Sequence, residues 1–253
     1  LPDLGLADSP GNNTIRNNGR DAKLKGVDLN NSTGNVLTAI GNSIDPKKIA
    51  GRVNFTPGGA VAFADVQGHW AQQQIQALAA RGIITGFPDG NFKPNDPVTR
   101  AQFAAIVLKA FSPAARNPAT EFSDVRSSYW GYTAIQSAAR GGFMAGFPDR
   151  TFKPEQRIPR VQSLVALVNG LQYGVGDAAL LSRYQDARTI PNYATGAIAA
   201  ATQRQIVVNY PTVGQLNPNR EATRADVAAF IYQALVNAGQ AQAIQSPYIV
   251  SVR

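Results

Sequence analysis

The chain has 253 residues and a formal charge of +8, with 44% hydrophobic and only 16% charged residues, a composition with enough apolar surface for one large domain or two small ones. It has no cysteine and a single histidine, His69, which excludes disulfides, thiol nucleophiles, Cys-ligated metals and multi-His sites. With only three glutamates (Glu121, Glu155, Glu221), no apolar run of 18 residues and no basic run longer than Lys47-Lys48, the composition argues against an enzyme, a helical membrane span and a nucleic-acid binder.

Residues 1–60 come first and are rich in Asn, Gly, Asp and Lys without a helical period. They read as an N-terminal arm, mostly loop or short strands such as Gly51–Phe55. The opening Leu1-Pro2-Asp3 has no Met, basic n-region or apolar h-region, as in a mature secreted chain whose leader has been removed or in a chain trimmed from a longer one.

From residue 61 a repeat takes over. Phe63-Ala64-Asp65-Val66 returns as Phe122-Ser123-Asp124-Val125 and, more loosely, as Tyr184-Gln185-Asp186-Ala187. Trp70 with Ile75 returns as Trp130 with Ile135 and as Tyr193 with Ile198. The turn Gly86-Phe87-Pro88-Asp89-Gly90 becomes Gly146-Phe147-Pro148-Asp149-Arg150, and shrinks to Asn209-Tyr210-Pro211. Phe92-Lys93-Pro94, Phe152-Lys153-Pro154 and Leu216-Asn217-Pro218 correspond, as do Thr99-Arg100-Ala101-Gln102, Pro159-Arg160-Val161-Gln162 and Thr223-Arg224-Ala225-Asp226. Each of the three arginines stands at the same distance from its proline. The chain therefore divides into modules at 61–112, 120–172 and 182–237, with a C-terminal tail at 238–253 that is exposed and ends in a strand over Tyr248–Val252.

Each module reads as helix, loop, helix. In the first, Trp70, Ile75, Leu78 and Ala79 form an apolar stripe, Gly82 supplies a stop, and Ile83-Ile84 is a short extended segment entering the turn. Thr99 with Gln102 has capping-box spacing, and Phe103, Ile106, Val107 and Ala110 make the buried face of the second helix before Ser112-Pro113 ends it. Thr223 and Asp226 keep the cap, whereas Pro159 loses the hydroxyl. Arg150 in place of the turn glycine is strained by about 1 kcal/mol if its φ is positive. Two-helix modules of this size expose too much apolar surface to stand alone, so the three pack together.

The pattern F-x-D-V, H/Y-W-A/G, G-F-P-D-G-x-F-x-P and T-R-A-Q resembles the S-layer homology (SLH) module of bacterial envelope proteins over about 61–237. The resemblance implies a mainly α fold in which three tandem modules form a pseudo-threefold spindle around a helical bundle. It also implies non-catalytic binding of acidic envelope polysaccharide, often one bearing pyruvate ketals, in grooves between modules, with no cofactor and no metal. Such a protein is anchored to the cell wall or envelope, at the cell surface, in a surface layer or on the periplasmic face of an outer membrane. The family's arginine maps to Arg100, Arg160 and Arg224, where a guanidinium fork at a helix start suits a carboxylate. Its aromatic maps to Trp70, Trp130 and Tyr193, which offer ring faces to a sugar. Its aspartate maps to Asp65, Asp124 and Asp186, which accept from sugar hydroxyls or fix the groove. The family glutamate after the arginine is here Gln102, Gln162 and Asp226, which alters any pairing with it. An alternative function is a self-assembling surface-layer or filament subunit that uses the 1–60 arm for intersubunit contacts.

Overall fold

The computed structural model describes residues 63–251 together with four short strands between residues 29 and 57. The remainder of the 1–60 arm, and Val252 of the expected tail strand, lie outside the described residues. The chain divides into two compact units, one with the strands and residues 76–85, the other with residues 64–75 and 86 onward.

In the first unit, β1 (Leu29–Asn31) pairs in parallel with β3 (Ile49–Gly51), and β2 (Leu37–Asn42) in parallel with β4 (Val53–Pro57). The registers Leu29↔Ile49 and Leu37↔Val53 mean that the chain passes twice in the same direction; parallel pairing requires such a crossover.

The modules are built on six helices. α1 (Gln72–Ala80), α3 (Tyr132–Arg140) and α5 (Thr195–Gln203) open the three repeats. α2 (Arg100–Phe111), α4 (Arg160–Gly170) and α6 (Arg224–Asn237) close them, and each of these begins at its motif arginine. Thr99 and Thr223 form complete capping boxes with Gln102 and Asp226, while Pro159 makes no side-chain cap, as the sequence indicates. Gly82 takes φ +67°, the left-handed stop expected of it. Ile83 and Ile84 are buried but form a bend rather than an extended segment, because the Ile83 N–H turns back to the Leu78 carbonyl. α2 packs on α3 and α4 on α5, and α6 touches both α2 and α4. Residues 225–235 of α6 are buried without a break, with Asp226 and Gln233 the polar residues among them, as in a helix at the centre of a bundle.

Where α2, α4 and α6 begin, the chain closes a ring of backbone hydrogen bonds. Val98 N–H donates to the Ala222 carbonyl, Ala222 N–H to Ile158, and Ile158 N–H to Val98. The next residues repeat the cycle: Arg100 N–H donates to Gln156, Arg160 to Arg220, and Arg224 to Asp96. The leading N–H groups of these helices are thus satisfied by the preceding loop of another module.

The tail is not exposed throughout. Asn209 N–H donates to the Tyr248 carbonyl and Val250 N–H to the Val207 carbonyl, and Val250 is buried. Tyr248 and Val250 carry the apolar surface that docks this segment beside Val207–Asn209, which the polar stretch before them conceals in the sequence.

Candidate functional site

The aspartates of the F-x-D-V segments fix the loops. Asp65 accepts the backbone N–H groups of Phe92 (2.9 Å) and Lys93 (2.6 Å). Asp124 accepts those of Phe152 and Lys153, both at 2.7 Å. Asp186 accepts those of Leu216 (2.9 Å) and Asn217 (2.7 Å). In each case the second residue is left-handed, with φ of 57°, 56° and 49° at Lys93, Lys153 and Asn217. Two charge-assisted bonds offset the roughly 1–2 kcal/mol that such a φ costs a side-chain-bearing residue. The loose third copy, Tyr184-Gln185-Asp186-Ala187, does the same work as the clear ones.

The loops so fixed receive the arginines, each from another module. Arg100 donates Nε–H to the Phe152 carbonyl (2.7 Å), Nη2–H to Ala145 (2.8 Å) and Nη1–H, at a long 3.4 Å, to Oε1 of Gln162. Its guanidinium lies over the Phe152 and Phe147 rings at 4.5 and 4.9 Å, a cation–π arrangement. Arg160 donates Nε–H to Leu216 (2.8 Å) and Nη2–H to the Val208 carbonyl (3.1 Å) and Asn209 Oδ1 (2.6 Å). Its Nη1 is ion-paired with Asp226, which also binds Arg220 at 3.0 Å. Arg224 donates Nε–H to the Phe92 carbonyl (2.6 Å) and covers the Phe92 and Phe87 rings at 4.2 and 4.8 Å. Burial pushes the Arg100 guanidinium down to about 10, still cationic at neutral pH, with Asp124 opposing the shift. Arg160 and Arg224 are lowered for the same reason, the first against the pull of Asp226.

The three predicted aromatics differ in surroundings. Trp130 and Tyr193 are 62% and 66% exposed, the Trp130 ring with that of Tyr129 tilted beside it at 5.4 Å. Trp70 is half-buried, stacked on Tyr210 at 5.3 Å and 9° and met edge-on by Tyr248. Tyr210, itself 44% exposed, and Tyr248 are absent from the sequence-based site; the first stands where Phe87 and Phe147 stand in the other copies. The Phe87 and Phe147 rings, which back the arginines and also carry Lys93 and Lys153 at 4.4 and 4.3 Å, were likewise legible as repeat positions. A cleft of about 500 Å³ opens beside Phe147, lined also by Glu121, Phe122, Gly146 and Arg150. A Cβ at Gly146 would stand 2.5 Å from the Phe122 ring, so only glycine permits this wall to close up.

Three helix-loop-helix modules, each handing an arginine to a loop of another, two of the three arginines buried, define a closed tandem-repeat domain. The S-layer homology domain pattern matches residues 62–104, 121–160 and 183–228, and the chain belongs to that family. It is 31% identical over 181 residues to the amylopullulanase of Thermoanaerobacterium thermosulfurigenes, covering 70% of this chain and 10% of that protein. It is 29% identical over 178 residues to the surface-layer 125 kDa protein of Lysinibacillus sphaericus, covering 69% and 15%. To the cellulosome-anchoring protein of Acetivibrio thermocellus it is 28% identical over 128 residues, covering 48% and 28%. The chain thus spans 10 to 16% of the length of the first relatives it matches.

Proposed function

We propose that this chain is a non-catalytic module that binds acidic envelope polysaccharide, of the pyruvate-ketal-bearing kind, and holds the protein that carries it on the cell wall. The observation that carries the reading is Arg100, a buried cation at the start of α2 whose guanidinium lies against the Phe147 ring, one wall of an open cleft. A guanidinium preset by backbone carbonyls and aromatic rings matches a carboxylate with little ordering cost, and Trp130 and Tyr193 offer exposed rings on which a sugar stacks. The kinship with surface-layer and cellulosome-anchoring proteins supports an envelope location, and no helix among the described residues is long and apolar enough to cross a membrane.

The test is co-sedimentation of the chain with purified cell walls, before and after mild acid removes their pyruvate ketals. Intact walls are expected to retain it, treated walls to release it, and Arg100→Gln to weaken retention with the helical circular dichroism unchanged. Equal retention on treated walls would overturn the acidic-glycan reading.

A further inference from the structure

The strands between residues 29 and 57 are the part of the chain that the helical modules leave without a role. β1 lies on β3 and β2 on β4, both pairs parallel and both in two-stranded sheets. Parallel strands joined through a helix need a connection of about a dozen residues or more. Residues 43–52 are all that separate β2 from β4, and β3 is among them. The return from β2 to β4 therefore runs through a strand of the other sheet. β1 and β2 form one coil and β3 and β4 the next, the topology of a parallel β-solenoid.

Two coils fall short of the three or so that a stack of repeats needs for stability, and a lone two-stranded pair is marginal in water. Among the described residues each strand has one partner in its sheet, so each coil keeps an edge of unpaired N–H and C=O groups. Proteins that leave such edges to water blunt them with Lys, other charges or Pro. None of these four strands contains Lys, Arg, Asp or Glu, and the one proline, Pro57, comes last in β4. The strands of the two coils also match in direction, length and residue character. β1 and β3 have three residues each, β2 six and β4 five. Along the ladder Leu37 is set against Val53, Thr38 against Asn54 and Ala39 against Phe55.

We propose that these edges pair with a second copy of the chain. The first coil of one molecule stacks on the second coil of the next, continuing between molecules the ladder that the chain already makes within itself. Each side of the contact uses a different edge, so the association is head-to-tail and does not close at two. The inference is independent of the glycan reading, which concerns the helical modules alone.

Sedimentation velocity of the full chain over a concentration series tests it. The mean mass is expected to rise with concentration, through dimers to larger species. Thr38→Lys puts a cation on β2 of the first coil, and Asn54→Lys puts one on β4 of the second. Each variant alone is expected to stay monomeric, because each has lost one edge. Mixed in equal amounts, they should form a dimer and stop there, since one intact edge remains on each. Should a variant lose its coils, the unmodified chain decides alone. A mass of one chain at every concentration overturns the proposal and leaves the edges to a segment of the same polypeptide. Assembly that closes at a dimer in the unmodified chain, or growth unchanged in both variants, overturns it as well.

Discussion

Nδ1 of His69 accepts the backbone N–H of Ala71 at 3.2 Å, which only a ring unprotonated at that nitrogen can do. Burial holds the imidazole below its usual value of 6.5, against the pull of its bond to Asn95 and of the Asp65 and Asp226 carboxylates. A base with a depressed folded-state pKa binds fewer protons folded than unfolded. Its contribution is therefore complete above 6.5 and is lost as pH falls from there toward the folded value. Because the chain has one histidine, the imidazole signal is unambiguous: its NMR titration midpoint is expected below 6.5, and the fall in Tm between pH 7 and pH 5 should shrink in His69→Gln. A midpoint at or above 6.5 would contradict the burial argument. That His69 has Tyr129 as its repeat counterpart was legible in the sequence. Its role as an acceptor for a backbone N–H was not, since that depends on the turn that brings Ala71 under the ring.

At the scale of the element, the loop matters more than the helices it joins. The Asp124 carboxylate holds the Phe152 N–H while the Phe152 carbonyl receives Arg100 Nε–H. One residue, Phe152, thus links the acid of F-x-D-V to Arg100 at the start of α2. Asp124→Ala is expected to lower stability by about 1–3 kcal/mol, the cost of unpaired backbone donors. It should also speed amide exchange at Phe152 and Lys153 and shift the Arg100 Nε–H resonance. Unaltered exchange at those two amides would show that the clamp is not needed. The sequence announced the aspartates and the arginines as recurring types at fixed spacing, because repeats preserve what the frame requires. It did not announce that they meet through the backbone of a third segment, since a carbonyl has no side-chain signature. The strain foreseen at Arg150 is present, with φ of 61° where Gly90 has 81°. The docking of Tyr248 and Val250 escaped notice because two apolar residues after a polar stretch carry no period.

Across the whole described domain, the decisive feature is that the repeat array has no free end. In an open array each repeat contacts only its neighbours, and stability accumulates along a line. Here Arg224 N–H of the third module donates to Asp96 of the first, and Val98, Ile158 and Ala222 bond in a cycle. All three residues are buried, so a break at any of them strands a carbonyl away from water. Ala222→Pro deletes the donor to Ile158 and, by the usual cost of an unsatisfied buried acceptor, should remove about 1–3 kcal/mol. The informative outcome is where that loss is felt. If the ring makes the modules one cooperative unit, amide exchange in α2, α4 and α6 accelerates by a common factor, and calorimetry shows one transition at a lower temperature. If the modules were independent, α6 alone would exchange faster and α2 would keep its protection. Closure predicts the first pattern, and it gives the arginine sites their precision: each guanidinium leaves one module and enters another, so its aim is only as fixed as the ring that joins them.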